Sequence, residues 1–217
     1  MAKTTADAVI DRYIEVSGGV KAIEKLKTME GTLLMNMPNA GMTLQMKIAS
    51  QHPNLMCVEQ IIPGVGEMKQ GYNGTIGWSS DPIQGNREMM PGEVKELIKE
   101  ASPQWILQIK DRFQIRSVGD ETGSEVTLHL QESSDRPIEK WVFSKKTGYL
   151  IVQDRVADMG PSGKLPIKTT FSDYRIIEGM AVPHKTSAAN PAFSFTLEVQ
   201  SLEFNTSLDP SIFEPPF

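Results

Sequence analysis

The side chains able to do chemistry in this chain are few and scattered. Three histidines, His52, His129 and His184, each sit beside a proline or on the polar side of an alternating stretch, so their spacing predicts surface positions rather than converging metal ligands. Two carboxylate pairs, Asp154 with Asp158 and Glu198 with Glu203, are spaced for acid/base work, but carboxylates of this kind are ordinary on a solvated strand face. Gly64-Val65-Gly66 has the composition of a phosphate-cradling loop, yet no helix follows it and a hairpin needs a turn there. Cys57 is the single cysteine, which excludes an internal disulfide and a cysteine-based zinc or iron–sulfur centre. No G-x-S-x-G elbow, H-E-x-x-H, P-loop or G-x-G-x-x-G motif occurs. The sequence therefore predicts no catalytic residues, no metal and no cofactor.

Methionine is the residue type that stands out. Of twelve, six fall early, at Met29, Met35, Met37, Met42, Met46 and Met56, and most alternate with polar residues at the period of a strand. Three readings fit. The strongest is a buried packing face; the second is a pliable wall for acyl chains, since the thioether is flexible and polarizable; the weakest is a thioether site for copper(I). Trp78, Trp105 and Trp141 have surroundings suited either to plain core or to the lining of a cavity.

The elements that hold these residues are mostly strands. Ala6, Val9, Ile10, Tyr13 and Ile14 predict an amphipathic helix over 5–16, with Thr4 or Thr5 as cap and Gly18-Gly19 beyond its end, and a second short helix follows over about 20–27. The period then changes to two. Strands are expected over 28–37 and 42–51, joined by Pro38-Asn39-Ala40-Gly41, then over 54–62, 66–73 and 75–79, with Asn73-Gly74 as a hairpin turn. Pro91 opens a helix over 91–101 bearing Val94, Leu97 and Ile98, with Lys95, Glu96, Lys99 and Glu100 expected in water, and Pro103 closes it. Seven further strands follow, over 112–118, 124–131, 137–145, 149–158, 165–177, 181–187 and 193–204. No linker or shift of composition divides the 217 residues, so residues 1–217 read as one domain.

Charge and hydropathy narrow the partners. With 22 basic and 27 acidic residues the net charge is −5, and no basic run offers a phosphate-binding field, so nucleic acid is excluded as an expected partner. No apolar stretch approaches the roughly 18–20 residues of a transmembrane helix, and the opening Met1-Ala2-Lys3-Thr4 lacks the apolar segment of a secretory signal.

Several stretches together resemble the LolA and LolB fold of periplasmic lipoprotein carriers and the wider set of LolA-like outer-membrane lipoprotein-sorting proteins. They are the helical start ending in Ser17-Gly18-Gly19, GYNGTIGWSSDP from Gly71 to Pro82, KTGYL from Lys146 to Leu150, FSDYRIIEGMAVPH from Phe171 to His184, and DPSIFEPP from Asp209 to Pro216. The resemblance implies an α+β, mostly β architecture: a strongly curved antiparallel sheet of about eleven strands, an incomplete barrel, with helices covering its concave face. It further implies a periplasmic, non-enzymatic binder or carrier of acyl chains, lipoproteins or another hydrophobic ligand, held between sheet and helices, with a lipid or acylated protein and envelope proteins as partners. The residues expected to form the cavity wall are Leu33, Met35, Met37, Leu44, Met46, Ile48, Trp78 and Trp141, with Val94, Leu97 and Ile98 as the lid. Two rival readings stand beside it. One is a structural or protein-interaction module of the envelope whose core is filled by its own side chains; the other is a hydrolase acting on a lipid-like substrate.

Overall fold

The computed structural model describes residues 4–158, 163–190 and 193–217; Met1 to Lys3, where the chain's opening was read for a signal, fall outside them. Thr5 caps α1 (Ala6–Val16), its hydroxyl accepting from the Ala8 N–H at 3.2 Å, and the helix buries Ile10, Tyr13 and Ile14. A four-residue α2 (Val20–Ile23) follows, shorter than the expected 20–27. Six strands then form a meander: β1 (Thr28–Met37), β2 (Met42–Gln51), β3 (Leu55–Ile62), β4 (Gly66–Tyr72), β5 (Gly77–Asp81) and β6 (Gly85–Glu88). The chain crosses through α3 (Pro91–Ile98), a 3-10 turn (Trp105–Gln108) and α4 (Ile109–Arg112). A second meander returns: β7 (Ile115–Glu121), β8 (Glu125–Gln131), β9 (Glu139–Ser144), β10 (Leu150–Asp158), β11 (Lys164–Ile177), β12 (Met180–Ala189) and β13 (Ser194–Phe204). A last 3-10 turn spans Pro210–Phe213.

All thirteen strands belong to one antiparallel sheet in the order β6-β5-β4-β3-β2-β1-β13-β12-β11-β10-β9-β8-β7. The two meanders meet where β13 pairs with β1, and the sheet keeps two open edges, β6 and β7. Thirteen strands exceed both the eleven or so that the resemblance implies and the twelve read from the sequence. The strand absent from the sequence reading is β6, whose Gly-Asn-Arg-Glu has neither apolar alternation nor branched residues to announce it. The Asn73-Gly74 turn is also longer than expected: Tyr72 pairs with Gly77, so Asn73–Ile76 form a four-residue loop, and the Asn73 carboxamide accepts from the N–H groups of Thr75 and Ile76, each at 3.0 Å. Likewise α4 occupies the start of the expected 112–118 strand, which begins at Ile115.

The position of α3 shows that the sheet is curled. This helix of eight residues is about 12 Å long, yet it contacts β3 and β4 on one side and β10 on the other. In the sheet β4 and β10 are seven steps apart, which at about 4.8 Å per strand would be roughly 34 Å if flat. Only strong curvature brings them within reach of one short helix. The helix lies across the mouth of an unclosed barrel.

Candidate functional site: an apolar pocket between the sheet and its helices

Register assigns the residues to faces, because directly opposed residues of an antiparallel pair point to the same side. Trp141 stands opposite Gln153, Gln153 opposite Thr169, Thr169 opposite Ala188, and Ala188 opposite Phe195. Phe195 shares its side with Leu197, which faces Met35, and Met35 faces Leu44. Trp141 and the methionine hairpin therefore share the inner face, the side on which Tyr13 of α1 packs edge-on to Phe143 and Phe113 packs edge-on to Trp141.

Trp78 does not share it. It stands opposite Gly71, Gly71 opposite Cys57, Cys57 opposite Ala49, and Ala49 opposite Glu30, all on the outer face. There Trp78 packs with Cys57 and Phe213 and donates its indole N–H to the Phe213 carbonyl at 2.7 Å. A Cβ on Gly71 would collide with the Trp78 ring, which is why the strand carries glycine beneath it. The expectation of Trp78 on the cavity wall is corrected: alternation separates Trp78 from its neighbours but does not say which side is inside.

The inner face has two parts. One is covered by helices: Ile10, Tyr13, Ile23, Ile109 and Phe113 pack on Val126, Leu128, Leu130, Trp141, Phe143 and Leu150. Trp141 is fully buried there, its indole N–H donating to Glu139 at 3.0 Å. The other part is built from strands alone. Leu33, Met35, Leu44 and Met46 pack together with Met37, Met42, Ile48, Phe195, Leu197 and Val199 from β1, β2 and β13. The six expected wall residues of this hairpin are thus brought together, on one face.

Between the helices and β10–β13 lies a cavity of about 220 Å³. Its walls are mostly apolar or aromatic: Tyr13, Leu26, Trp105 and Ile106 come from the helical side, and Met29, Leu150, Phe171, Tyr174, Met180, Val182, Leu202 and Phe204 from the sheet, where Met29 stands directly opposite Phe204. Of the early methionines only Met29, at the root of β1, reaches it. Burial pushes the Tyr13 hydroxyl up, the Glu100 charge adding to the effect, and burial also pushes up that of Tyr174, which donates to the Leu150 carbonyl at 2.7 Å. Both phenols are uncharged in the physiological range. Sequence reasoning singled out Trp105 and Met29 as suited to line a cavity but not the rest, and of the expected wall residues Leu33, Met35, Met37, Leu44, Met46, Ile48 and Trp141 none lines this pocket. The run from Phe171 to His184 supplies Phe171, Tyr174 and Met180 through Pro183, so the stretch that carried the family resemblance is also a large part of the wall.

The lid residues are placed differently from expectation. Val94, Leu97 and Ile98 are half-buried, and a Cβ on Gly77 of β5 would lie 2.5 Å from the Val94 methyl, so α3 seats its apolar stripe on the β3–β5 side. Of its charged side, Lys95 stays exposed as expected, but Glu96, Lys99 and Glu100 are drawn out of water. Lys95 pairs with Glu132 at 2.5 Å, Lys99 with Glu96 at 2.7 Å, Glu96 with Arg155, and Glu100 accepts from the Gln153 amide at 3.2 Å. The Glu96 and Lys99 side chains are only 17% and 12% exposed. A helix that spans a mouth meets protein on both flanks, so its polar stripe finds β9 and β10 instead of solvent. Arg112 completes the network, bonding Glu139 at 2.8 Å and Glu132 at 3.3 Å.

The remaining reactive candidates do not converge. Asp154 stands opposite Lys140 and Lys168, and Asp158 opposite Lys164. Glu198 pairs with Lys185 at 3.3 Å, and His52 Nδ1 contacts the Ser102 hydroxyl at 3.1 Å. Among the described residues no three of His, Cys, Asp and Glu are grouped to hold a metal ion.

Solved structures share this architecture. A DUF1329 family protein from Desulfovibrio piger superposes with a TM-score of 0.65 at 14% identity, over 98% of both chains. A LolA superfamily protein from Nitrosomonas europaea gives 0.64 at 11% identity, again over 98% of both, and an outer membrane lipoprotein-sorting protein domain from Vibrio parahaemolyticus gives 0.61 at 15%, over 96% of this chain and 97% of that one. The chain has a LolA-like fold. No protein-family model and no curated protein matches the sequence. In LolA-like terms, the pocket just described lies between the sheet and the helices on its inner face, and the strand-only methionine patch continues that face toward β1 and β2.

Proposed function

We propose that this LolA-like protein is a non-enzymatic binder or carrier of acyl chains, free or attached to a protein, which it takes up between the curled sheet and the helices of the crossover. The observation that carries the reading is the apolar pocket of about 220 Å³ walled by Trp105, Phe171, Val182, Leu202 and Phe204. That volume is below the roughly 300 Å³ at which drug-sized sites begin, so the pocket as it stands takes part of a chain. The methionine patch continues the same inner face, and its side chains adapt to varied shapes, which suits it to take the remainder of the chain. Apolar burial at about 25 cal/mol per Å² provides the driving force, offset by the ordering of the chain. The likeness to the Vibrio parahaemolyticus lipoprotein-sorting domain supports a lipidated cargo and a periplasmic setting, with envelope proteins as partners in delivery.

The experiment is to purify the protein from cells without detergent, extract it with organic solvent and analyse the extract by mass spectrometry. The reading expects acyl lipids in near-stoichiometric amount. An extract without them, from a protein that also fails to acquire lipid from vesicles, favours the structural module with a filled core.

A further inference from the structure

Charge in the pocket is distributed unevenly, and this bears on which acyl group fits. Among the described residues lining it, Glu100 is the one charged side chain; the others are apolar, aromatic, hydroxyl-bearing or proline. Glu100 follows the end of α3, where unpaired carbonyls give the helix terminus partial negative charge. Its carboxylate accepts from the Gln153 amide, a neutral donor, and no ion pair to it is found among the described residues. The nearby cations are turned elsewhere: Lys99 to Glu96 and Glu139, Arg155 to Glu96, Arg112 to Glu132 and Glu139. None of these cations lines the pocket. Tyr13 senses the Glu100 charge across it, since that charge raises the energy of the phenolate.

A site built for a free fatty acid needs a cation or a set of donors for the ligand's carboxylate. This one presents a carboxylate of its own. Resting on the acyl-binding reading, we infer that Glu100 is a specificity-determining residue that admits uncharged acyl groups, ester- or amide-linked, and rejects fatty-acid anions of the same chain length. Two like charges held several ångströms apart beside an apolar wall repel far more strongly than in water, and tenfold or more in affinity is the scale to expect.

The test is a competition titration at pH 8 with three ligands of one chain length: 1-monolauroylglycerol, dodecanoate and dodecylammonium. The cost of desolvating any charge would by itself disfavour both ions, so the pattern across the three separates that general effect from Glu100. The wild type is expected to bind the glyceride at least about tenfold more tightly than dodecanoate, and dodecylammonium nearly as well as the glyceride. In Glu100→Gln the affinity for dodecanoate relative to the glyceride rises about tenfold and that for the ammonium relative to the glyceride falls by a similar factor. Equal binding of glyceride and dodecanoate by the wild type overturns the inference, and so does equal rejection of both ions. A preference unchanged in a folded Glu100→Gln protein does the same. All three of these outcomes leave acyl binding itself intact. If none of the three ligands binds saturably, the functional reading falls, and this inference with it.

Discussion

The Trp78 indole N–H reaches across 135 positions of sequence to the Phe213 carbonyl, and that bond fixes the C-terminal turn to the outer face of the sheet. Asn73 adds a second tie at 2.8 Å to Glu214. The turn therefore covers Cys57, Ala49 and Leu55, which would otherwise expose an apolar strip on β2 and β3.

Removing this clasp should cost stability without touching the inner pocket. Phe213→Ala, which empties a fully buried aromatic site, is expected to lower the unfolding free energy by about 3–5 kcal/mol. Trp78→Phe leaves the Phe213 carbonyl unsatisfied and should cost about 1–3 kcal/mol. Urea melts check both values, and acyl binding by the folded fraction should be unaltered.

The same clasp predicts an inert thiol. Burial pushes Cys57 up to about 11, well above the ordinary value near 8.5. Iodoacetamide at pH 8 should label native Cys57 far more slowly than the urea-unfolded chain, and labelling at the unfolded rate would show that the turn is not docked. Between about pH 8.5 and 11 the folded thiol holds a proton that the unfolded one has released, so this group's contribution to stability is lost as pH rises through that window.

The docking of α3 should respond to acid. The Arg87 fork, opposed by burial but helped by the Met90 N–H, holds Glu93 below the usual carboxylate value; burial raises Glu132, but Lys95, Lys99 and Arg112 outweigh it and bring it below that value too. Both are depressed, so their stabilisation is present above about pH 4.5 and lost as pH falls through the folded values. Amide exchange, corrected for its intrinsic pH dependence, should show α3 opening more readily at pH 4 than at pH 7, while β8 and β9 remain protected. Equal protection at the two pH values would contradict the charged latch.

The methionine patch should be shielded from oxidant. Met35 and Met46 are each 8% exposed, against 44% for Met90 just before α3. Peptide mapping after brief peroxide treatment should find Met90 oxidised first, with Met35 and Met46 lagging several-fold. A bound acyl chain should slow Met29, which lines the pocket, more than it slows Met90.

What the sequence revealed and what it hid divides along a physical line. The β1–β2 hairpin was legible because alternation runs through both strands, with Leu34 the exception, and the Met37–Met42 pair closes on a glycine at φ 61°. α1 was legible from its cap and its apolar spacing. Trp78 was not, because period two separates faces without saying which is inner; that depended on Gly71, Cys57 and Ala49 in three other strands. The charged side of α3 was misplaced for a related reason: Lys99 and Glu96 look solvated until the curl of the sheet brings Arg155 and Glu139 to them. The pocket draws its walls from α1, Leu26 and Met29, the stretch from Glu100 to Ile106 and four returning strands, segments spread from residue 13 to residue 204 whose convergence no local period encodes.

Acyl binding in this pocket is tested most directly by filling it. Val182 lines the cavity on β12, and Val182→Trp places a bulky ring inside it. Delipidated wild type and variant, matched by circular dichroism and melting temperature, are titrated with a fluorescent acyl-ester probe. The account predicts saturable one-to-one binding at micromolar or tighter affinity for the wild type and a loss of at least about tenfold, ~1.4 kcal/mol, for the filled variant. Failure of the wild type to saturate, or equal binding by a folded Val182→Trp protein, would contradict it.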